Sequence, residues 1–136
     1  MKKIIKLTTV LLFAVMIAGS CNKQKKLMNR LVGTWNIDKL EGTYTGATTF
    51  PYSYTNAGTY IFTDDGKGTF SYTLNGSVSN GSFIWANTET TVTMTQTGYS
   101  PKVNTVTSNS KTKQEWSFNY TDAGSTNVGT ITLSKK

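Results

Sequence analysis

The sequence predicts an all-β domain built as an antiparallel eight-stranded up-and-down barrel, with a two-layer β-sandwich as the alternative. Three observations carry this. From Gly33 onward apolar and polar residues alternate with period two over short runs, the pattern of strands that bury one face. The runs are separated by Gly, Asn and Asp clusters of the kind that form hairpin turns. No helical period interrupts them, and closing such a sheet on itself removes exposed edges.

Strands are expected near 33–43, 58–64, 68–74, 81–87, 90–96, 103–108, 113–120 and 127–134. The direction of the alternation is consistent. Tyr60 and Phe62 share one face of the second run; Phe70, Tyr72 and Leu74 share one face of the third, with Thr69, Ser71 and Thr73 on the other. Phe83 and Trp85 continue the pattern, then Val92 and Met94 between threonines, then Trp116, Phe118 and Tyr120 between Ser117 and Asn119. One face is aromatic and the other is polar, so the domain has a single buried side. Among the connections, Asp64-Asp65-Gly66-Lys67-Gly68 reads as a hairpin loop, and Asn75-Gly76, Asn80-Gly81 and Asp122-Ala123-Gly124 read as turns. Residues 44–57 hold Tyr44, Phe50, Tyr52 and Tyr54 around Pro51, and read as a long aromatic loop with a short strand from Phe50 to Tyr54 as the other option. Long loops in compact domains are often lids, which makes Phe50, Tyr52 and Tyr54 the lid candidates.

The first twenty residues are organised differently. A cationic start, Met1-Lys2-Lys3, leads into the apolar run Val10 to Ala18, which is too short for a bilayer-spanning helix. Ala18-Gly19-Ser20-Cys21 follows and resembles the bacterial lipobox, in which small residues enter a peptidase site and the cysteine thiol accepts a diacylglycerol. This resemblance implies a bacterial, Gram-negative envelope lipoprotein. Residues 1–20 would be its signal peptide, Cys21 its lipidated N-terminus, 21–30 a basic tether and 31–136 the barrel domain. A lone cysteine at that position fits acylation, because an unpaired exported thiol is otherwise a liability. More than one acyl chain gives lasting membrane anchoring. The residues after Cys21 are basic, whereas surface-export signals in some such bacteria are acidic there, so the expected location is the outer membrane, facing the periplasm. Leu27 to Val32 is expected to form one helical turn closing an end of the domain.

The formal charge of +7 is unevenly distributed. Lys2, Lys3 and Lys6 lie in the leader, and Lys23, Lys25, Lys26 and Arg30 lie just after Cys21; from residue 31 on, seven lysines balance seven acids. A neutral domain lacks the clustered cations of a phosphate-tracking surface, so no nucleic-acid partner is expected. The basic segment suits a position near anionic lipid.

Leu31-Val32-Gly33-Thr34-Trp35 resembles the Gly-x-Trp opening of lipocalins, and in particular of the short lipocalin-like domains of envelope lipoproteins. There such a strand is followed by a hairpin like Tyr60 to Phe70 and a later Trp-bearing strand like Glu115-Trp116-Ser117-Phe118. The resemblance spans residues 31–134. It implies a barrel whose first tryptophan packs across the closed end, usually under an arginine from the last strand, where this chain departs and offers only Lys135 and Lys136.

The chain has no histidine, which removes the commonest general base and metal ligand, and its one thiol is assigned to acylation. Cys-His and Ser-His catalysis and thiolate or imidazole zinc sites are thereby excluded. Asp64 and Asp65 are the remaining carboxylate pair, and they are more simply turn formers. No catalytic residue, metal site or cofactor is assigned, and the protein is read as non-enzymatic. Binding remains. Trp35, Tyr60, Phe62, Phe70, Tyr72, Phe83, Trp85, Met94, Trp116, Phe118 and Tyr120 are the candidate lining of a site for a small apolar or amphipathic ligand. The alternative is that they fill a solid core, and that the protein is an accessory module pairing with an envelope protein or a glycan.

Overall fold

Among the described residues, 22–136 of a computed structural model, eight antiparallel strands close into a single barrel in simple sequence order. They are β1 (Gly33–Thr45), β2 (Thr49–Phe62), β3 (Lys67–Leu74), β4 (Ser77–Asn87), β5 (Thr91–Thr95), β6 (Lys102–Asn109), β7 (Lys113–Asp122) and β8 (Ser125–Lys135). Pairing of β1 with β8 completes the ring, from Trp35 opposite Lys135 to Thr45 opposite Thr126. The barrel, not the sandwich, is therefore the fold. The expected leader at 1–20 and the expected acylation site, Cys21, lie outside the described residues.

The aromatic face points inward. Trp35, Tyr60, Phe62, Phe83, Trp85, Met94, Trp116 and Phe118 are all buried. Two rings fit because the neighbouring strand offers each a glycine. Phe83 lies over Gly68 and Phe70 over Gly81, where an added Cβ would come within 2.4 and 2.6 Å of those rings.

Residues 22–31 form a helix, α1, which corrects the expectation of a tether ending in a single turn. Two complementary stripes explain it. Gln24, Leu27, Met28 and Leu31, spaced i, i+3, i+4, i+7, face the barrel, while Asn22, Lys25, Lys26 and Asn29 make the opposite, solvent-facing stripe. Leu27 and Leu31 are fully buried. Gln24 and Asn87 clasp each other, the Gln24 amide donating to the Asn87 main-chain oxygen at 2.8 Å and the Asn87 amide returning the bond at 2.9 Å. With only three apolar residues, the stripe is too short to declare a helix without the barrel end to pack against.

Residues 49–57 are strand, which corrects the long-loop reading of 44–57. The connection is only the few residues between Thr45 and Thr49, and Tyr44, Gly42 and Leu40 pair with Phe50, Tyr52 and Tyr54. Pro51 is tolerated because this half of β2 pairs with β1 alone; β3 joins only from Gly58 to Phe62. Midway, the register slips between Ile37 and Lys39, with Asn56 at a φ of 50°. This bulge shifts the inward face of β1 from Trp35 and Ile37 to Leu40, and sends Lys39 outward to pair with Glu41 at 2.6 Å.

The β2–β3 turn is held by Asp65, whose carboxylate accepts from the Thr63 hydroxyl at 2.6 Å and pairs with Lys67 at 2.9 Å. The Thr63 hydroxyl and Lys67 together hold the Asp65 carboxyl down to about 2. Both acids of the pair are exposed turn residues at the closed end.

Candidate functional site

The barrel has a solid half and a hollow half. At the helix end, Trp35, Phe62, Trp85 and Trp116 form a floor, and each indole has its own partner. Trp35 Nε1 donates to the Leu31 carbonyl at 2.7 Å, tying α1 to β1. Trp85 Nε1 is shared between the Thr63 and Lys67 carbonyls at 3.1 and 3.0 Å, and Trp116 Nε1 reaches the buried Gln114 Oε1 at 3.4 Å. Phe62 packs edge-on against Trp85 and Trp116, with centroids 5.3 and 6.1 Å away. Rings with filled contacts and satisfied N–H groups are core.

Above this floor lies a cavity of about 290 Å³. Its apolar walls are Phe83, Met94, Phe118 and Ile131, with Leu40 and Leu74 nearer the opening. Its polar groups are Tyr60, Tyr72, Tyr120, Asn127 and Gln96, and at the rim the β5–β6 connection adds Tyr99 and Ser100. One cation, Lys102, completes the lining, and no carboxylate does. Lys102 Nζ stands 4.7 Å from the centre of the Tyr120 ring, within range of a cation–π contact.

The phenols are arranged as neutral hydrogen-bonding groups. Tyr60 and Tyr72 join hydroxyl to hydroxyl at 2.6 Å. Tyr120 donates to Oδ1 of the buried Asn104, whose amide in turn donates to the Val92 carbonyl at 3.3 Å. Burial pushes the Tyr60, Tyr72 and Tyr120 hydroxyls above their ordinary value, so all three keep their protons at neutral pH.

The structure thus divides the sequence-derived lining. Tyr60, Tyr72, Phe83, Met94, Phe118 and Tyr120 meet around one cavity, whereas Trp35, Phe62, Trp85 and Trp116 lie in the floor and Phe70 is half-buried over Gly81, packed 4.8 Å from the Tyr72 ring without lining the cavity itself. Tyr52 and Tyr54 stack at 5.7 Å on the strand ribbon above the mouth, and the Tyr52 hydroxyl donates to Asn127 Oδ1 at 2.6 Å. Phe50, near the ribbon tip, is 47% exposed. The expected lid is a fixed ribbon, and none of its three aromatics contributes to the cavity wall. The sequence reading missed Leu40, Leu74, Gln96, Tyr99, Ser100, Lys102, Asn127 and Ile131 as lining residues. A lysine beginning the strand after Gly98-Tyr99-Ser100-Pro101 was the available signal, because the first residue of a barrel strand stands at a rim.

No protein-family model matches the chain, and no curated protein sequence matches it. Among solved structures, the chain is similar to a bovine odorant binding protein deswapped triple mutant, with 19% identity over 79% of this chain and 74% of that one and a TM-score of 0.49. It is also similar to a redesigned β-barrel, with 19% identity over 81% of this chain and 95% of that one and a TM-score of 0.43.

Proposed function

We propose that this protein is a lipid-anchored, non-enzymatic binding protein of the Gram-negative cell envelope, facing the periplasm from the outer membrane, that holds a small amphipathic ligand in the open half of its barrel. The observation that carries the binding reading is the cavity of about 290 Å³ with aromatic and aliphatic walls and a single cation at its rim. That volume is at the lower end for small-molecule sites, which suits a short chain or a single ring system. An apolar body would lie among Phe83, Met94, Phe118 and Ile131, and a carboxylate or similar acidic head would meet Lys102, with the one hydroxyl proton that the Tyr60–Tyr72 pair leaves free donating alongside. The anchoring and location rest on the leader and on Cys21 in its lipobox-like setting.

Competition against a fluorescent naphthylamine probe tests the binding. Decanoate and decanol should both displace it, decanoate more tightly. Lys102→Met should weaken decanoate by about tenfold and leave decanol unchanged, as befits one partly desolvated charge contact. Failure of either molecule to displace the probe, or equal loss of both in the variant, removes the reading. Acyl labelling of the wild type and of Cys21→Ser tests the anchor.

One observation favours a second reading, an accessory interaction module. Residues 49–57 of β2 pair on one side only and leave a strand edge open beside the mouth. A strand of an envelope protein partner could add there through main-chain hydrogen bonds. A partner captured from envelope extract should then be lost when Phe50, Tyr52 and Tyr54 become Ala.

A further inference from the structure

The end of the barrel opposite the mouth carries a feature that ligand binding does not use. The outer stripe of α1 and the β6–β7 turn flank a concavity of about 520 Å³. Five cations line it, Lys25, Lys26, Arg30, Lys111 and Lys135, and no acid does. Two of the five are fixed in place: Arg30 Nη1 donates to the Asn109 carbonyl at 2.6 Å, and Lys135 Nζ donates to the Arg30 and Val32 carbonyls at 2.9 and 2.8 Å. Lys25, Lys26 and Lys111 are exposed. Among the described residues the ion pairs are Lys39–Glu41 and Lys67–Asp65, so none of the five is neutralised by an acid.

Position supplies the second half of the argument. α1 is docked on the barrel from residue 22, directly after Cys21, by buried Leu27 and Leu31 and by the Gln24–Asn87 clasp. An anchor at Cys21 would therefore bring this concavity, and not the mouth, against the lipid.

We propose that the cationic concavity at the closed end is a docking surface for anionic lipid headgroups, which seats the barrel upright on its membrane with the mouth turned away. This rests on the anchoring proposed above. The stretch of β1 from Gly33 to Leu40 then holds the opening roughly 23 Å along the strand from the closed end, so ligand enters from the aqueous side and not from the host leaflet. An attraction of about 1 kcal/mol per cation near such a surface makes the three exposed lysines shift the docked balance by about 100-fold. The effect weakens as salt shortens the screening length.

The test takes the protein purified from its host, mixed with vesicles of pure phosphatidylcholine or with phosphatidylglycerol added, and reads flotation and amine acylation by peptide mass spectrometry. The expected result is flotation with both, and protection of Lys25, Lys26 and Lys111 only on anionic vesicles, with Lys39 and Lys102 labelled equally on both. Lys25→Gln with Lys26→Gln should return Lys111 to full labelling. Flotation with both but equal labelling overturns the docking surface and leaves the anchor standing. Flotation with anionic vesicles alone supports the docking surface and removes the anchor. Flotation with neither removes both. Equal protection by soluble polyphosphate would reassign the concavity to free anions and overturn the lipid assignment.

Discussion

Lys135 Nζ lies 5.2 Å from the centre of the Trp35 ring while donating to the main-chain oxygens of Arg30 and Val32. One amine thus covers the first tryptophan, binds carbonyls at the end of α1 and joins the last strand to the first. The position that the lipocalin resemblance assigns to an arginine is filled here by a lysine. Lys135→Met keeps the length of the stem but loses the charge, the ring contact and both bonds. It should cost about 2 kcal/mol in urea unfolding, given typical values for charged hydrogen bonds and cation–π contacts. Hydrogen exchange should localise the loosening to residues 22–31. Unchanged exchange there would show that Leu27, Leu31, the Gln24–Asn87 clasp and the Trp35 bond to Leu31 hold the helix without this lysine.

How far the sequence revealed this arrangement depends on how much of each element's stability is local. Trp116 and Phe118 alternate strictly with polar residues, and period two alone puts them inside; Tyr60, Phe62 and Phe83 follow the same period, although Ile61 and Ile84 stand on the outer face between the rings. The bulge at Asp38 leaves no such trace. It depends on the pairing of the next residue, Lys39, with Thr55 and Thr132 on two other strands, and it decides that Leu40 faces the cavity. Pro51 and the small residues around it imitate a loop, because a strand paired on one side tolerates what a central strand does not. The split between floor and cavity was also illegible, since Trp116 and Phe118 look alike in sequence. Only the hydrogen bond from Trp116 to Gln114, against the seat of Phe118 on the cavity wall, separates them.

The three cavity tyrosines make stability depend on alkaline pH. Burial raises Tyr60, Tyr72 and Tyr120 in the folded state, while the unfolded chain titrates near the ordinary value of 10. The folded state therefore holds protons that the unfolded state releases. The stabilisation is fully present below about pH 10 and is lost as pH rises towards the folded values. The urea midpoint should be level from pH 7 to 9 and fall steeply above 10. In Tyr120→Phe the fall should be shallower. That variant should also lose about 1–3 kcal/mol at neutral pH, because Oδ1 of buried Asn104 loses its donor.

Gly58 marks where β2 leaves β3, and its backbone sits at a φ of 132°. A Cβ there would fall 1.8 Å from the Ser71 carbonyl oxygen, a main-chain atom that can move only with its strand. Gly58→Ala should cost more than about 3 kcal/mol or prevent folding, as overpacking and a forbidden backbone combine. Gly76, with φ at 79° but nothing within 4 Å of an added Cβ, makes the control. Gly76→Asn should stay within about 1 kcal/mol of the parent, because Asn tolerates left-handed turns.

Leu74 offers a way to close the cavity without disturbing the floor. It stands on the last residue of β3, half-buried at the opening, and helps line the cavity. A tryptophan at this position has room to turn inward over Met94 and Phe118, and the mouth lets the backbone adjust. Leu74→Trp should leave the urea midpoint within about 1 kcal/mol of the parent, since no well-packed side chain has to be displaced. It should weaken naphthylamine binding at least tenfold. Ile61→Trp, which adds similar bulk to an outward, 41% exposed position on β2, should bind like the parent. Loss of binding in both variants would mean that the probe sits on the outer face of the barrel, and full binding in Leu74→Trp would remove the cavity from consideration as the ligand site.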